Sequence, residues 1–212
     1  MFRRSTLGTL FAFALLLAIS GSSATAASGG GCQLQGTASF SPGLSNTAGP
    51  FSYSFAGDLT SCQSNVAGAP TTGTVEAGKT VTRQVVNSIT GATDTVTYQE
   101  PVPSGSGGCA SSTTSGTGIV TWADGTQSVL DFATTGAAAA VNLSGSVVPS
   151  VTLQATNAQA GDPTTLTITT TRYAGYSSQG VLAFQPPDPT ACSAGGVTTA
   201  GISGFVGLGT GS

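Results

Sequence analysis

Period-two alternation of apolar and small polar side chains constrains the fold of this sequence more than any other feature. In residues 33–40, Leu34, Ala38 and Phe40 share one side of an extended chain, while glutamine, serine and threonine occupy the other side. Residues 165–169 read Thr-Leu-Thr-Ile-Thr and repeat the pattern. Because successive side chains of a strand point to opposite faces, the pattern predicts strands with one packed and one solvated face. No stretch has a convincing period of 3.6 residues, so we predict an all-β fold.

The order of the alternating runs favours a closed sheet. An Asp124-Gly125 pair lies between two of the runs and is a strong hairpin signal. The first and last runs, 33–40 and 197–208, are both regular, and pairing them would remove both edges of the sheet. We therefore predict an antiparallel β-barrel of about 8–10 strands, with a two-sheet β-sandwich as the alternative. Residues 100–117, rich in Pro, Ser and Gly, are predicted to form a loop.

The N-terminal segment has the layout of a secretory signal peptide. Arg3 and Arg4 precede an uncharged apolar run, Leu10–Ile19, and small residues follow as far as Ala27. The apolar run is shorter than the roughly 20 residues that a membrane-spanning helix needs. We therefore expect export to the extracellular medium and no stable membrane insertion. The chain is predicted to consist of a cleaved signal peptide, 1–27, and a single all-β domain, 28–212.

Four cysteines lie in the exported part of the chain. An even number of cysteines in an exported protein predicts two disulfides, and four cysteines allow three pairings. If residues 33–40 and 51–59 pair as a hairpin centred near Thr47, Cys32 comes to lie opposite Cys62. We therefore predict the disulfides Cys32–Cys62 and Cys109–Cys192.

The scarcity of charge excludes several classes of function. Charged residues make up 6% of the chain and histidine is absent, whereas soluble proteins carry about 25% charged residues. A nucleic-acid partner is excluded because no basic stripe is present to neutralise phosphates. Chemistry that depends on a histidine base or ligand is excluded as well. After loss of the signal peptide, Lys79, Arg83 and Arg172 face eight carboxylates, for a net charge of −5, which favours solubility.

Short segments around the cysteines form a recurrent pattern. They are Cys32 with Gly36–Leu44, Gly57–Leu59 before Cys62, Cys109 with Ser115–Gly118 running into Val120–Trp122, and Cys192 with Gly195–Thr198. This pattern resembles that of a group of uncharacterised, glycine- and threonine-rich secreted proteins of actinomycetes. The resemblance covers most of the exported chain. It implies export and a β-fold with two disulfides, and it carries no activity onto particular residues.

Four carboxylates are candidates for an acid pair of the kind that hydrolyses glycosides. Asp124 is better explained by the turn that it forms with Gly125, and Glu76 and Glu100 by solvated strand ends. Asp131 lies between two apolar residues, so the alternation could place it inside the fold. We predict no catalytic residue among them. The remaining aspartates stand alone in the sequence, so we predict neither a metal site nor a cofactor.

Aromatic residues offer a second kind of site. Trp122 is predicted to pack in the core, because it lies within a strand beside apolar neighbours. Tyr173 and Tyr176 flank a turn, where we expect them to be exposed at the tip of a loop. With Phe51, Tyr53 and Phe55, these residues could surround the mouth of a barrel. Trp122, Tyr173 and Tyr176 are our candidates for ligand contact.

Three functions are compatible with these features. The first is a non-enzymatic, disulfide-stabilised β-module that interacts with a partner in the medium or at the cell surface. The second is a carrier that holds a small ligand inside the barrel, which requires an apolar cavity larger than a few water molecules. The third is a hydrolase that uses two carboxylates. The sequence favours the first and predicts that the protein is not an enzyme.

The signal-peptide assignment predicts the mature N-terminus. Protein recovered from culture medium should begin at Ser28, or at Ala27 if cleavage falls one residue earlier. Intact-mass measurement of the non-reduced protein, with N-terminal sequencing, distinguishes the two. A secreted chain that retains Arg3 and Arg4 would contradict the assignment.

Overall fold

The computed structural model describes residues 28–188 and 190–210, and the predicted signal peptide lies outside these residues. The described chain consists of strands, turns and irregular segments. Within it, no helix is long and apolar enough to cross a membrane. The thirteen strands are β1 (Gly29–Leu44), β2 (Gly49–Ser64), β3 (Gly73–Ala77), β4 (Thr80–Val86), β5 (Thr93–Gln99), β6 (Ser104–Gly107), β7 (Ser111–Trp122), β8 (Gln127–Ala137), β9 (Ala140–Val148), β10 (Ser150–Ala155), β11 (Thr165–Thr169), β12 (Ser177–Gln185) and β13 (Val197–Gly209).

The larger sheet closes on itself to form an antiparallel barrel. Its strands follow the order β1-β13-β12-β9-β8-β7-β3-β2, and β2 pairs again with β1. The first and last strands are joined in a long register in which Gly36 lies opposite Ile202. Short strand β6 pairs with β2 and β7 beyond the end of β3, so that β3 and β6 share one of the eight positions around the barrel. The predicted barrel and the predicted pairing of the terminal strands are confirmed.

A smaller sheet covers part of the outside of the barrel. It has the order β11-β10-β5-β4 and consists of two hairpins. One hairpin is inserted between β3 and β6 and the other between β9 and β12. Val96 and Leu153 of this sheet are fully buried and cluster with Ile119 and Val129 on the outer side of β7 and β8. Alternation along the strands therefore produces two apolar clusters on opposite faces of the same barrel wall.

The prediction of a loop over residues 100–117 is wrong for most of the segment, from residue 104 onward. Residues 104–107 form β6, and residues 111–117 are the first half of β7. The sequence of β6, Ser-Gly-Ser-Gly, contains no large apolar side chain, so it shows no alternation of apolar and polar residues. It nevertheless pairs with β2 on one side and β7 on the other. A Cβ atom on Gly105 would lie 2.2 Å from the carbonyl oxygen of Thr113, so the close approach of the two backbones requires glycine.

The two disulfides lie at opposite ends of the barrel, and both predicted pairings are present. Cys32–Cys62 joins β1 to β2 at the end where β7 finishes, which we call the Trp122 end. Cys109–Cys192 joins the β6–β7 turn to the segment after β12 at the opposite, Cys109 end. There the Cys109 N–H donates to the Ser45 carbonyl at 2.9 Å. Three loops are thus fastened together over the Cys109 end.

Loss of the Cys109–Cys192 disulfide should lower the free energy of unfolding strongly. The bond joins residues 83 positions apart, and on the chain-entropy model a loop of that length contributes roughly 4–5 kcal/mol. The double variant Cys109→Ala, Cys192→Ala should lose about that amount in urea unfolding. Ser111→Ala, Ser193→Ala changes two exposed neighbours and serves as the control, with an expected change within about 0.5 kcal/mol. A loss in the disulfide variant as small as that in the control would refute this account.

Candidate functional site

The interior of the barrel contains an apolar cavity of about 180 Å³. Its wall consists of inward-facing side chains, most of them aliphatic or aromatic. Phe55 lies flat against the wall because two of its neighbours on the same face are glycines. A Cβ on Gly36 would lie 2.5 Å from the Phe55 ring, and one on Gly57 would lie 2.8 Å from it. Glycine at these two positions lets the ring lie along the wall.

The cavity opens toward the Trp122 end. Among the described residues that line it, Gln63 and Ser64 are the exposed ones, and both lie at this end beside the Cys32–Cys62 disulfide. The Cys109 end is covered by a cluster of buried apolar side chains. That cluster consists of Leu44, Phe51, Val197 and Ala200, with the Cys109–Cys192 disulfide packed against it. A ligand would therefore enter from the Trp122 end.

The three aromatic residues predicted to contact a ligand form one group at the Trp122 end. The ring centroids of Trp122 and Tyr173 are 5.4 Å apart, as are those of Tyr173 and Tyr176. Trp122 and Tyr173 line the cavity. Trp122 is 4% exposed, as its predicted core position requires. The two tyrosines are half-buried, so the expectation of exposure at a loop tip is wrong, because the turn folds back over the barrel.

Ser128 and Arg172 fix this aromatic group in place. The Trp122 indole N–H donates to Ser128 Oγ at 2.9 Å, and that hydroxyl donates to the Arg172 carbonyl at 2.7 Å. The Arg172 guanidinium lies 5.6 Å from the centroid of the Tyr173 ring and pairs with Asp124 at 2.6 Å. Tyr173 has a φ of 63°, a conformation that is unfavourable for a bulky residue. Its surroundings therefore hold the ring at the mouth against the preference of its backbone.

The predicted Asp124-Gly125 turn is present and contributes to this support. Gly125 has a φ of 79°, and Asp124 accepts hydrogen bonds from the N–H and the hydroxyl of Thr126. These bonds, with a smaller contribution from Arg172, lower the pKa of the Asp124 carboxyl. Asp124 is therefore explained by its role in the turn.

Several hydroxyl-bearing side chains line the cavity. Tyr53, Thr114 and Thr134 form a chain in which the Tyr53 and Thr114 oxygens are 3.1 Å apart and the two threonine oxygens 2.7 Å apart. Burial raises the pKa of Tyr53 to about 12, so this phenol is neutral at ordinary pH. Ser178, at the start of β12, is 3% exposed, and its Oγ has no hydrogen-bond partner among the described residues. No feature of the sequence distinguishes Ser178, which shares the inward face of β12 with Gly180 and Leu182.

The candidate carboxylates lie outside the cavity. Glu76 and Asp131 are exposed on outward positions of β3 and β8, and Asp131 accepts a hydrogen bond from the Thr117 hydroxyl at 2.8 Å. Glu100 is 2% exposed rather than a solvated strand end, and its Oε2 accepts the Lys79 N–H at 3.0 Å. Burial is the main cause that raises its pKa, and the negative charge of Glu76 adds to the effect. No Asp or Glu is among the described residues that line the cavity.

Two aspartates expected to stand alone are brought together by one amide. The Asn87 side-chain nitrogen donates to Asp94 at 3.1 Å and to Asp162 at 2.8 Å. These bonds connect the β4–β5 turn to the segment before β11 and hold the smaller sheet together. In the described parts of the chain, no three His, Cys, Asp or Glu residues are grouped as metal ligands.

The buried Glu100 predicts a specific dependence of stability on pH. Its raised pKa means that the folded state binds a proton more tightly than the unfolded state does. The stabilisation is therefore present at low pH and is lost as pH rises through the folded-state pKa. Glu100→Gln stays neutral and can still accept the Lys79 N–H. Its free energy of unfolding, minus that of the wild type, should increase between about pH 4 and pH 7 in urea unfolding.

Asp131→Asn removes one exposed negative charge and provides the control for that comparison. The increase with pH should be larger for Glu100→Gln than for Asp131→Asn. Equal pH profiles for the two variants would contradict the assignment of a raised pKa to Glu100.

Comparison with known proteins identifies no relative from which the role of this cavity could be inferred. No family model, curated protein or solved structure matches the chain. The candidate functional site is therefore the apolar cavity, with Trp122 and Tyr173 at its open end and Ser178 in its wall.

Proposed function

We propose that this protein is an exported, non-enzymatic carrier that binds a small apolar molecule inside its barrel. The observation that carries the proposal is the cavity of about 180 Å³, lined almost wholly by apolar side chains. An engineered apolar cavity of about 150 Å³ in another protein binds benzene. The space in this barrel is therefore large enough for an aromatic or short aliphatic molecule, and of the three functions considered it favours the carrier.

The surroundings of the cavity support binding rather than hydrolysis. The candidate carboxylates lie elsewhere on the molecule, and the hydroxyl groups of the wall have neither a histidine nor a carboxylate beside them to act as a base. Binding without reaction needs only a preformed apolar space and an entrance. The two disulfides and the N-terminal signal support a protein that works in an oxidising, extracellular environment.

The size of the site sets the expected affinity. A ligand of about 10–16 heavy atoms, at roughly 0.3–0.6 kcal/mol for each atom, binds with a dissociation constant in the micromolar to millimolar range. The most direct assay uses 1-naphthylamine, a probe of eleven heavy atoms that is uncharged at neutral pH and whose emission shifts to shorter wavelength in apolar surroundings. Titration of the wild-type protein should give saturable binding.

A variant that fills the cavity should abolish that binding. Leu143 lies on the inner face of β9 and lines the cavity, whereas its neighbour Asn142 is exposed on the outer face. Leu143→Trp should weaken the binding of the probe at least about tenfold, because the indole takes the space that the probe needs. Asn142→Trp places the same group outside and should bind as the wild type does.

Urea unfolding of both variants confirms that each is folded before binding is compared. Equal affinities for the two tryptophan variants would show that the probe binds on the surface. Absence of saturable binding to the wild type would overturn the carrier proposal itself.

A further inference from the structure

Ser178 is the one side chain in the described part of the protein with a buried nitrogen or oxygen atom that has no hydrogen-bond partner. It lines the cavity, and the residue is 97% buried, since 3% of its surface is exposed. A buried hydroxyl without a partner is unfavourable by about 1–3 kcal/mol. Such groups are rare in folded proteins and call for an explanation.

The neighbours of Ser178 do not explain it. In the barrel register Ser178 lies opposite Leu208 on one side and Gly145 on the other. A Cβ on Gly145 would lie 3.0 Å from Ser178 Oγ, so glycine leaves room beside the hydroxyl. A buried water molecule typically needs two to four polar partners, and neither cross-strand neighbour has a polar side chain. The space beside Ser178 suits a molecule that is mostly apolar.

Other polar side chains inside the barrel differ from Ser178 because they are hydrogen-bonded to one another, or because, like Ser112, they are only half-buried. Tyr53, Thr114 and Thr134 share hydrogen bonds, and the Trp122 N–H is bonded to Ser128. Among the described residues that line the cavity, none is charged. An ionised ligand head inside the cavity would therefore be buried without a counter-charge, which is strongly unfavourable.

We propose that the ligand is an uncharged molecule with one hydroxyl or carbonyl group on an apolar body, and that Ser178 Oγ binds this group. The inference deepens the proposed function and rests on it. A serine hydroxyl both donates and accepts, so it serves an alcohol or a ketone equally. Strand β12 begins at the Trp122 end, and Ser178 is its first inward residue. The polar group of the ligand therefore lies near the mouth, and its apolar body extends toward the Cys109 end.

Three ligands on one aromatic skeleton test the proposal: naphthalene, naphthol and naphthoate. At neutral pH they present no polar group, a neutral hydroxyl and a carboxylate, respectively. Each is titrated against bound 1-naphthylamine in the wild type, in Ser178→Ala and in Ser144→Ala. Ser144 is exposed on the outer face of β9, next to β12, which makes it the matched control. Ser178→Ala removes an unpaired hydroxyl, so it should be folded and at least as stable as the wild type in urea.

The wild type should bind naphthol about tenfold more tightly than naphthalene, and naphthoate most weakly. In Ser178→Ala the preference for naphthol should fall by a factor of about ten, while Ser144→Ala should keep it. An unchanged preference in Ser178→Ala would overturn the role of Ser178. Tightest binding of naphthoate would overturn the assignment of an uncharged ligand. Both results leave the carrier proposal intact. Failure of all three ligands to displace the probe would instead contradict the carrier proposal.

Discussion

Closure of the sheet between the first and last strands is the constraint on which the rest of the structure depends. The register of β1 with β13 runs from Gly29, opposite Gly209, to Ser39, opposite Thr199. It converts a sheet with two open edges into a barrel that has an inside and an outside. Alternation along each strand then separates inward from outward residues, except where the bulge between β1 and β2 near Ser61 shifts the register. The apolar cavity, the disulfides at its two ends and the sheet packed on its outer wall all follow from that closure.

Small inward-facing residues leave a cavity inside the closed barrel. An eight-stranded barrel is just wide enough either to be filled by its own side chains or to hold one small ligand. Here several inward positions carry glycine, as at Gly36, Gly57 and Gly145, where a Cβ atom would lie 2.4, 2.9 and 2.2 Å from a backbone oxygen of the adjacent strand. Phe55 uses the room over two of them by lying along the wall, and Ser178 faces the third. The cavity is therefore encoded in side-chain volume.

Much of the barrel could be predicted from the sequence because the strands that form it alternate clearly. The β1–β2 hairpin aligns Cys32 with Cys62, so a local pattern determined both disulfide pairings. A strand was missed where the segment has no large apolar side chains to alternate with polar ones. Residues 104–107 lack large side chains, and their strand pairing comes from the neighbouring strands.

The candidate site was predictable in part. The sequence identified three aromatic candidates for ligand contact, Trp122, Tyr173 and Tyr176. Their contact with one another at one end of the barrel depends on a turn that crosses over the barrel. The burial of Glu100 was missed because two inserted hairpins assemble the smaller sheet beside it. Ser178 was missed because serine is common in this chain and is mostly exposed or half-buried. Only the register, which places it opposite Leu208 and Gly145, shows that this particular serine points inward.

The two ends of the barrel are built for different tasks. At the Cys109 end, a disulfide ties loops that are distant in sequence over a buried apolar cluster, so opening that end would require several loops to separate together. At the Trp122 end, Cys32–Cys62 joins two strands that are already paired, and it adds no cover over the opening. The ring at that mouth, Tyr173, is held in an unfavourable backbone conformation by side-chain contacts. Such a conformation persists only where the surroundings over-determine it, so the contacts of Tyr173 with Trp122 and Arg172 place its ring at the opening of the cavity while the strands of the wall stay paired.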